Sequence, residues 1–176
     1  HPGTGTPAIE ILDPLCPSCK VFRNRLNTTE VGKLIDAKVV LFPLDNECNW
    51  MLSEPVHHGA CMVSRAVMCS QEPYKVIDWA LDNNEEIREV AKKQGPEALR
   101  AMILQNFGEV DQCLDSAQTK QRLNLSLRWA VSNSLSLLTP QLFVNKHKLC
   151  DEDMDLGLEY GLRRLIEKAG AANGGN

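Results

Sequence analysis

Four residues, Cys16-Pro17-Ser18-Cys19, stand where one backbone period ends and another begins. Ahead of them, Ala8 to Leu12 is a short apolar run that reads as a strand, closed by Asp13-Pro14. Behind them, Val21, Phe22, Arg25 and Leu26 recur at helical spacing, and Pro17 suits the first turn of a helix. The junction predicts strand, tight turn and helix in succession. A chain built on that junction is drawn towards an α/β fold.

The rest of the chain extends the pattern. Lys38 to Leu44 predicts a second strand, with Pro43 near its end. A long helical section follows: Gly59 to Ser70, Pro73 to about Leu81, Pro96 to Phe107 with Leu99, Met102 and Ile103 on one face, and Leu123 to Leu135. Met51, Met62 and Met68 read as core of that section. Strand signals return at Pro140 to Val144 and at Lys148 to Cys150. A last helix is predicted from about Glu152 to Ala169, lining up Met154, Leu158, Leu162, Leu165 and Ile166, with Asp151-Glu152-Asp153 at its favourable positive end. With 176 residues, 43% of them hydrophobic, residues 1–176 suffice for one domain with a filled core. The expectation is an α/β domain with a helical insertion over about 46–138, between the second and third strands. The leader before Ala8 and the tail from Gly170 carry no period.

The chemistry of Cys16 and Cys19 follows from their placement. A thiolate is the nucleophile of disulfide exchange, and the positive end of a helix stabilises it. Cys16 would be the exposed attacking sulfur, and Cys19, one turn on, the resolving one. A structural bridge over so short a loop would stabilise little. Zinc is the competing chemistry, since Cys-x-x-Cys is half of a zinc knuckle. Cys48, His57, His58, Cys61 and Cys69 could supply the other half, but at spacings that match no ordinary zinc module.

Charge and hydropathy exclude other classes. The net charge is −4, without the long basic block that binds phosphates, so nucleic acid is not an expected partner. No apolar run approaches the roughly 18 residues that cross a bilayer. Seven cysteines favour an oxidising compartment, periplasm or cell envelope. The sequence starts at His1 without an initiator Met, so a signal peptide or membrane tether ahead of it is an open expectation. Besides Cys16 and Cys19, five cysteines remain, and they allow fifteen ways of forming two bridges with one left over.

Two separated segments carry a resemblance. Glu10-Ile-Leu-Asp-Pro-Leu-Cys16-Pro-Ser-Cys19 resembles the active-site strand and helix of the thioredoxin superfamily. Thr139-Pro140-Gln141-Leu142-Phe143-Val144-Asn145 resembles its second signature, a strand entered through a cis-proline. The long helical section between them resembles the DsbA branch. Asp45-Asn46-Glu47-Cys48-Asn49 and His58-Gly59-Ala60-Cys61 are similar to segments of DsbA-like domains that accompany bacterial vitamin K epoxide reductase homologues.

The resemblance implies a thioredoxin-like fold and a thiol-disulfide oxidoreductase acting on protein thiols, an oxidase for exported proteins in the first place. It makes Cys16 the nucleophile and Cys19 the resolving thiol. Pro140 would lie opposite them, and Thr139 would offer backbone hydrogen bonds to an extended substrate. Glu10 takes the place of a buried acid beneath Cys19, passing its proton. Bridges Cys48–Cys61 and Cys69–Cys113 are implied too, the first with a sharper alternative as a redox relay, leaving Cys150 odd. The sulfurs carry the electrons, so no organic cofactor is needed. A membrane quinone-linked partner of the vitamin K epoxide reductase type would reoxidise the pair. Reductase or isomerase activity, a peptide-binding module and a metal carrier stay open as rivals. His57 and His58 are expected at a helix start or as a surface pair. Asn145-Lys146-His147-Lys148 replaces the family's Asn-Gly turn, so a longer turn is expected there.

Overall fold

A computed structural model describes residues 5–150 and 157–173. Strand β1 (Thr6–Leu12) leads through a short turn into α1 (Pro17–Thr28), and a 3₁₀ turn (Gly32–Leu34) returns the chain to β2 (Ile35–Leu41). Helices α2 (Ala60–Cys69), α3 (Pro73–Asp82), α4 (Asn84–Gln94) and α5 (Pro96–Asn106) follow. After a second 3₁₀ turn (Gly108–Val110) come the short α6 (Asp111–Leu114) and the long α7 (Ala117–Ser132). The hairpin β3 (Gln141–Val144) and β4 (His147–Lys148) precedes α8 (Leu158–Asn173). The sheet order is β2-β1-β3-β4. β3 runs antiparallel to β1, with Glu10 opposite Leu142 and Ile11 opposite Gln141.

Two compact units make up the described chain. The first holds residues 5–11, Lys20–Val40 and the described part from Pro140 onward. Its core joins Ala8, Leu26, Val31, Ile35, Leu142, Val144, Leu162 and Leu165, so that β1, α1, β3 and α8 share one apolar interior. The second holds Leu12–Cys19 and Leu41–Thr139. There α2 is buried on nearly every side, from Ala60 to Val67, which explains a sequence that is apolar apart from Ser64 and Arg65. Trp79 of α3 meets Phe107 edge to face at 5.3 Å between ring centroids.

Several boundaries differ from those expected. The second strand is Ile35–Leu41, three residues earlier than predicted, because Leu44 leaves the strand to donate its N–H to Asp13 Oδ2 at 2.6 Å. Helix α4 was not separately foreseen; its exposed Glu and Lys positions leave only Asn84 and Ile87 buried. Helix α7 starts six residues before the predicted Leu123, at a Ser116 cap whose Oγ accepts the Thr119 N–H. The turn after β3 is tight rather than long: Val144 pairs with His147, and Asn145 and Lys146 take left-handed φ values of 45° and 71°. The predicted helix start at Asp151-Glu152-Asp153 and Met154 lie outside the described residues. The described helix begins at Leu158, behind Gly157 with φ 96°.

Candidate active site

β1 ends at Leu12 and α1 opens at Pro17, so the turn between them sets where the sulfurs stand. The Cys16 N–H donates to the Asp13 carbonyl at 3.2 Å, tightening the turn just ahead of the helix. Pro17 and Ser18 are exposed, and Cys19 is fully buried. Cys16, expected to be exposed, is only 4% accessible, because Thr139 covers it with a carbonyl oxygen 3.5 Å from Sγ. Both cysteines are free thiols.

The two thiols are driven apart in acidity. The hydrogen bond from Cys19 is the largest influence on Cys16 and brings its pKa down to about 5, against the opposing effect of burial. Thr139 and the Cys19 backbone N–H lower it further, while the charge of Asp13 raises it. The carbonyl of Thr139 can accept only from the protonated thiol. The influence that favours the thiolate is therefore that of the Thr139 side chain, whose hydroxyl oxygen is buried and has no hydrogen-bond partner among the described residues. Cys19 moves the other way: burial first, and then the bond to Cys16, hold it protonated. An ionised nucleophile beside a protonated partner is the arrangement that thiol exchange requires.

Beneath the turn lies a group that the sequence reading passed over. The Asp13 side chain is completely buried, and it accepts from Leu15 N–H at 2.7 Å, Leu44 N–H at 2.6 Å and His57 Nδ1 at 2.8 Å. His57 is thus an interior residue rather than a surface one, 7% accessible. Its partner is 44 residues away in sequence, so no local pattern announces the pair. An Asp beside the Cys-x-x-Cys turn, in an otherwise apolar segment, was the available signal.

The remaining candidates fall into place as follows. Glu10 is 1% accessible on β1, with Oε2 2.8 Å from Arg23 Nη1 of α1. Pro140 follows Thr139 directly and leads into β3. Disulfides join Cys48 to Cys61 and Cys69 to Cys113, and Cys150 lies exposed outside both bridges. The sulfurs of Cys48, Cys61 and Cys69 are therefore bound to sulfur, not open as zinc thiolates. Asp45, Glu47 and Cys61 bring ligand atoms within 4.8 Å of one another. Asp45 Oδ2, however, already accepts the Gly59 N–H, and Glu47 pairs with Arg65 at 2.8 Å. No helix among the described residues is long and apolar enough to cross a membrane.

Fold and site together define a thioredoxin-like α/β protein, with a helical insertion between its second and third strands and an asymmetric dithiol at the head of α1. The chain is similar in structure to α-DsbA1 of Wolbachia pipientis, at a TM-score of 0.67 and 13% identity, over 98% of this chain and 91% of that one. It is similar also to the oxidoreductase NmDsbA1 of Neisseria meningitidis, with a TM-score of 0.59, 15% identity, and 97% and 86% of the two chains. A third likeness is the oxidoreductase DsbA of Xylella fastidiosa, at 0.52 and 16% identity, covering 92% and 87%. At these identities the likeness is one of fold. No protein-family model and no curated protein matches the sequence.

Proposed function

We propose that this protein is a thiol-disulfide oxidoreductase of exported proteins, working as an oxidase through Cys16 and Cys19. The observation that carries the reading is the opposite ionisation of the two thiols, with Cys16 brought down to about 5 and Cys19 held protonated. A thiolate stabilised in the reduced protein favours the reduced state and makes the disulfide an oxidant. In the oxidised form a client thiolate attacks Cys16 Sγ and breaks the Cys16–Cys19 bond, and Cys19 leaves and takes up a proton. A second client thiolate then attacks the client sulfur of the mixed disulfide and expels the Cys16 thiolate. The client loses two electrons and the dithiol gains them.

Other residues enter as parts of the proposal. Thr139 and Pro140 would line the place where an extended client segment binds. Glu10, buried and 2.8 Å from Arg23, would pass a proton to or from Cys19, and its burial supports that role. Reoxidation would fall to a quinone-linked membrane partner of the vitamin K epoxide reductase type. An extracytoplasmic setting, with or without a membrane tether, is supported by the two disulfides. The fold would act as one domain over residues 1–176.

The test is the reduction potential of Cys16-Cys19 against glutathione, with the other cysteines left in place. A value near or above about −150 mV supports the oxidase. A value near or below about −230 mV makes it a reductase. Absence of any exchange removes the enzyme and leaves a peptide-binding module.

A further inference from the structure

Asp13 is the buried acidic side chain nearest the dithiol in sequence that the exchange chemistry above leaves unused. Its side chain is fully buried, a costly place for a carboxylate unless every oxygen is engaged. Oδ1 accepts from Leu15 N–H at 2.7 Å; Oδ2 accepts from Leu44 N–H at 2.6 Å and meets His57 Nδ1 at 2.8 Å. An ionised carboxylate only accepts, so the hydrogen-bond network assigns the shared proton to Nδ1 of His57. Leu15 belongs to the turn that presents Cys16, and the Asp13 carbonyl accepts the Cys16 N–H at 3.2 Å. One residue thus shapes the turn with its backbone and places a negative charge beside it with its side chain.

That charge acts against the nucleophile, since Asp13 raises the pKa of Cys16. The imidazole is the only side-chain donor engaged with Asp13 among the described residues. We propose that His57 is a positioning residue of the dithiol: through Asp13 it holds the Cys16 turn in place and offsets the charge that opposes the Cys16 thiolate. This rests on the reading of Cys16 as the attacking sulfur. Without the imidazole, Oδ2 keeps a single donor, and the field of the carboxylate reaches the sulfur less compensated. In a site that excludes water, such a field is weakly screened.

The two partners consequently affect Cys16 with opposite sign. Removing His57 leaves more negative charge felt at the sulfur, whereas removing the charge of Asp13 leaves less. A role limited to packing would move both variants the same way, because each would loosen the turn. The proposal is tested by titrating the thiolate absorbance of the reduced full chain, with no client present, and by reading the glutathione potential separately. His57→Ala should raise the titration midpoint by about half a pH unit or more. Asp13→Asn should lower it, and His57→Asn, which keeps an N–H donor near the Nδ1 position, should return it towards the native value.

Equal midpoints for the native chain and His57→Ala overturn the proposal, as do upward shifts in both His57→Ala and Asp13→Asn. Should Asp13→Asn fail to fold, the comparison of His57→Ala with His57→Asn decides, and equal midpoints for those two overturn it. Expected midpoint shifts in a chain that never exchanges with glutathione would remove the enzyme reading and leave the positioning role standing. Exchange with unmoved midpoints would do the reverse.

Discussion

One turn of α1 separates two sulfurs that the fold treats in opposite ways. Reduced Cys16 titrates at about 5 in the folded chain against an ordinary 9.0 when unfolded. Its folded pKa is depressed, so its contribution to the stability of the reduced form is complete above about pH 9 and is lost as pH falls through about 5. The urea midpoint of the reduced native chain, compared with Cys16→Ser, should therefore diverge as pH rises from 4 to 8. Alkylation of Cys16, followed over the same range, should reach half its plateau rate near pH 5. A second prediction concerns Lys146, at φ 71° in the turn after β3, where a side chain is strained. Lys146→Gly should raise stability by about 0.5 to 1 kcal/mol in denaturant unfolding, as the relief of strain outweighs the added freedom of the unfolded chain.

Among the elements, α2 depends on the glycine that caps its start. Gly59 has φ 88°, gives its N–H to Asp45 Oδ2 at 2.9 Å, and would bring a Cβ to 2.6 Å from Leu99 Cδ2 and 2.9 Å from Ala91 Cβ. Gly59→Ala should cost about 2 kcal/mol or more in thermal or urea unfolding, from backbone strain and overpacking together. The Cys48–Cys61 bridge closes the segment that carries His57, with a sequence separation of 13. Replacing both cysteines with Ser should lower stability by about 3 kcal/mol in the chain-entropy model. A loss confined to stability, with the glutathione potential unchanged, would assign the bridge a structural role instead of a relay. Elements with local signals were legible in the sequence: the period change around Cys16 placed β1 and α1, and Pro73 and Pro96 marked the starts of α3 and α5. Others were decided elsewhere. The end of β2 depends on a carboxylate 31 residues earlier, and α4 offers too few apolar positions for periodicity to single it out.

At the scale of the molecule, the order of elements was readable because a thioredoxin-like arrangement leaves two separated signatures in one chain, around Cys16 and around Pro140. The dithiol was readable because its chemistry sits in four consecutive residues. The pairing of Asp13 with His57 was not legible for the opposite reason: a buried polar pair has no period, and each residue alone resembles turn chemistry. The surroundings of Cys16 are assembled from remote parts of the chain, Leu12–Cys19 together with Leu41–Thr139. That has a consequence for synthesis, which proceeds in one direction. The dithiol is made before the residue whose side chain favours its thiolate, Thr139, which follows more than a hundred residues later. A chain stalled before that point would hold Cys16 without the Thr139 carbonyl beside its sulfur and without one of the groups that favour its thiolate, leaving the hydrogen bond from Cys19 to act without that support.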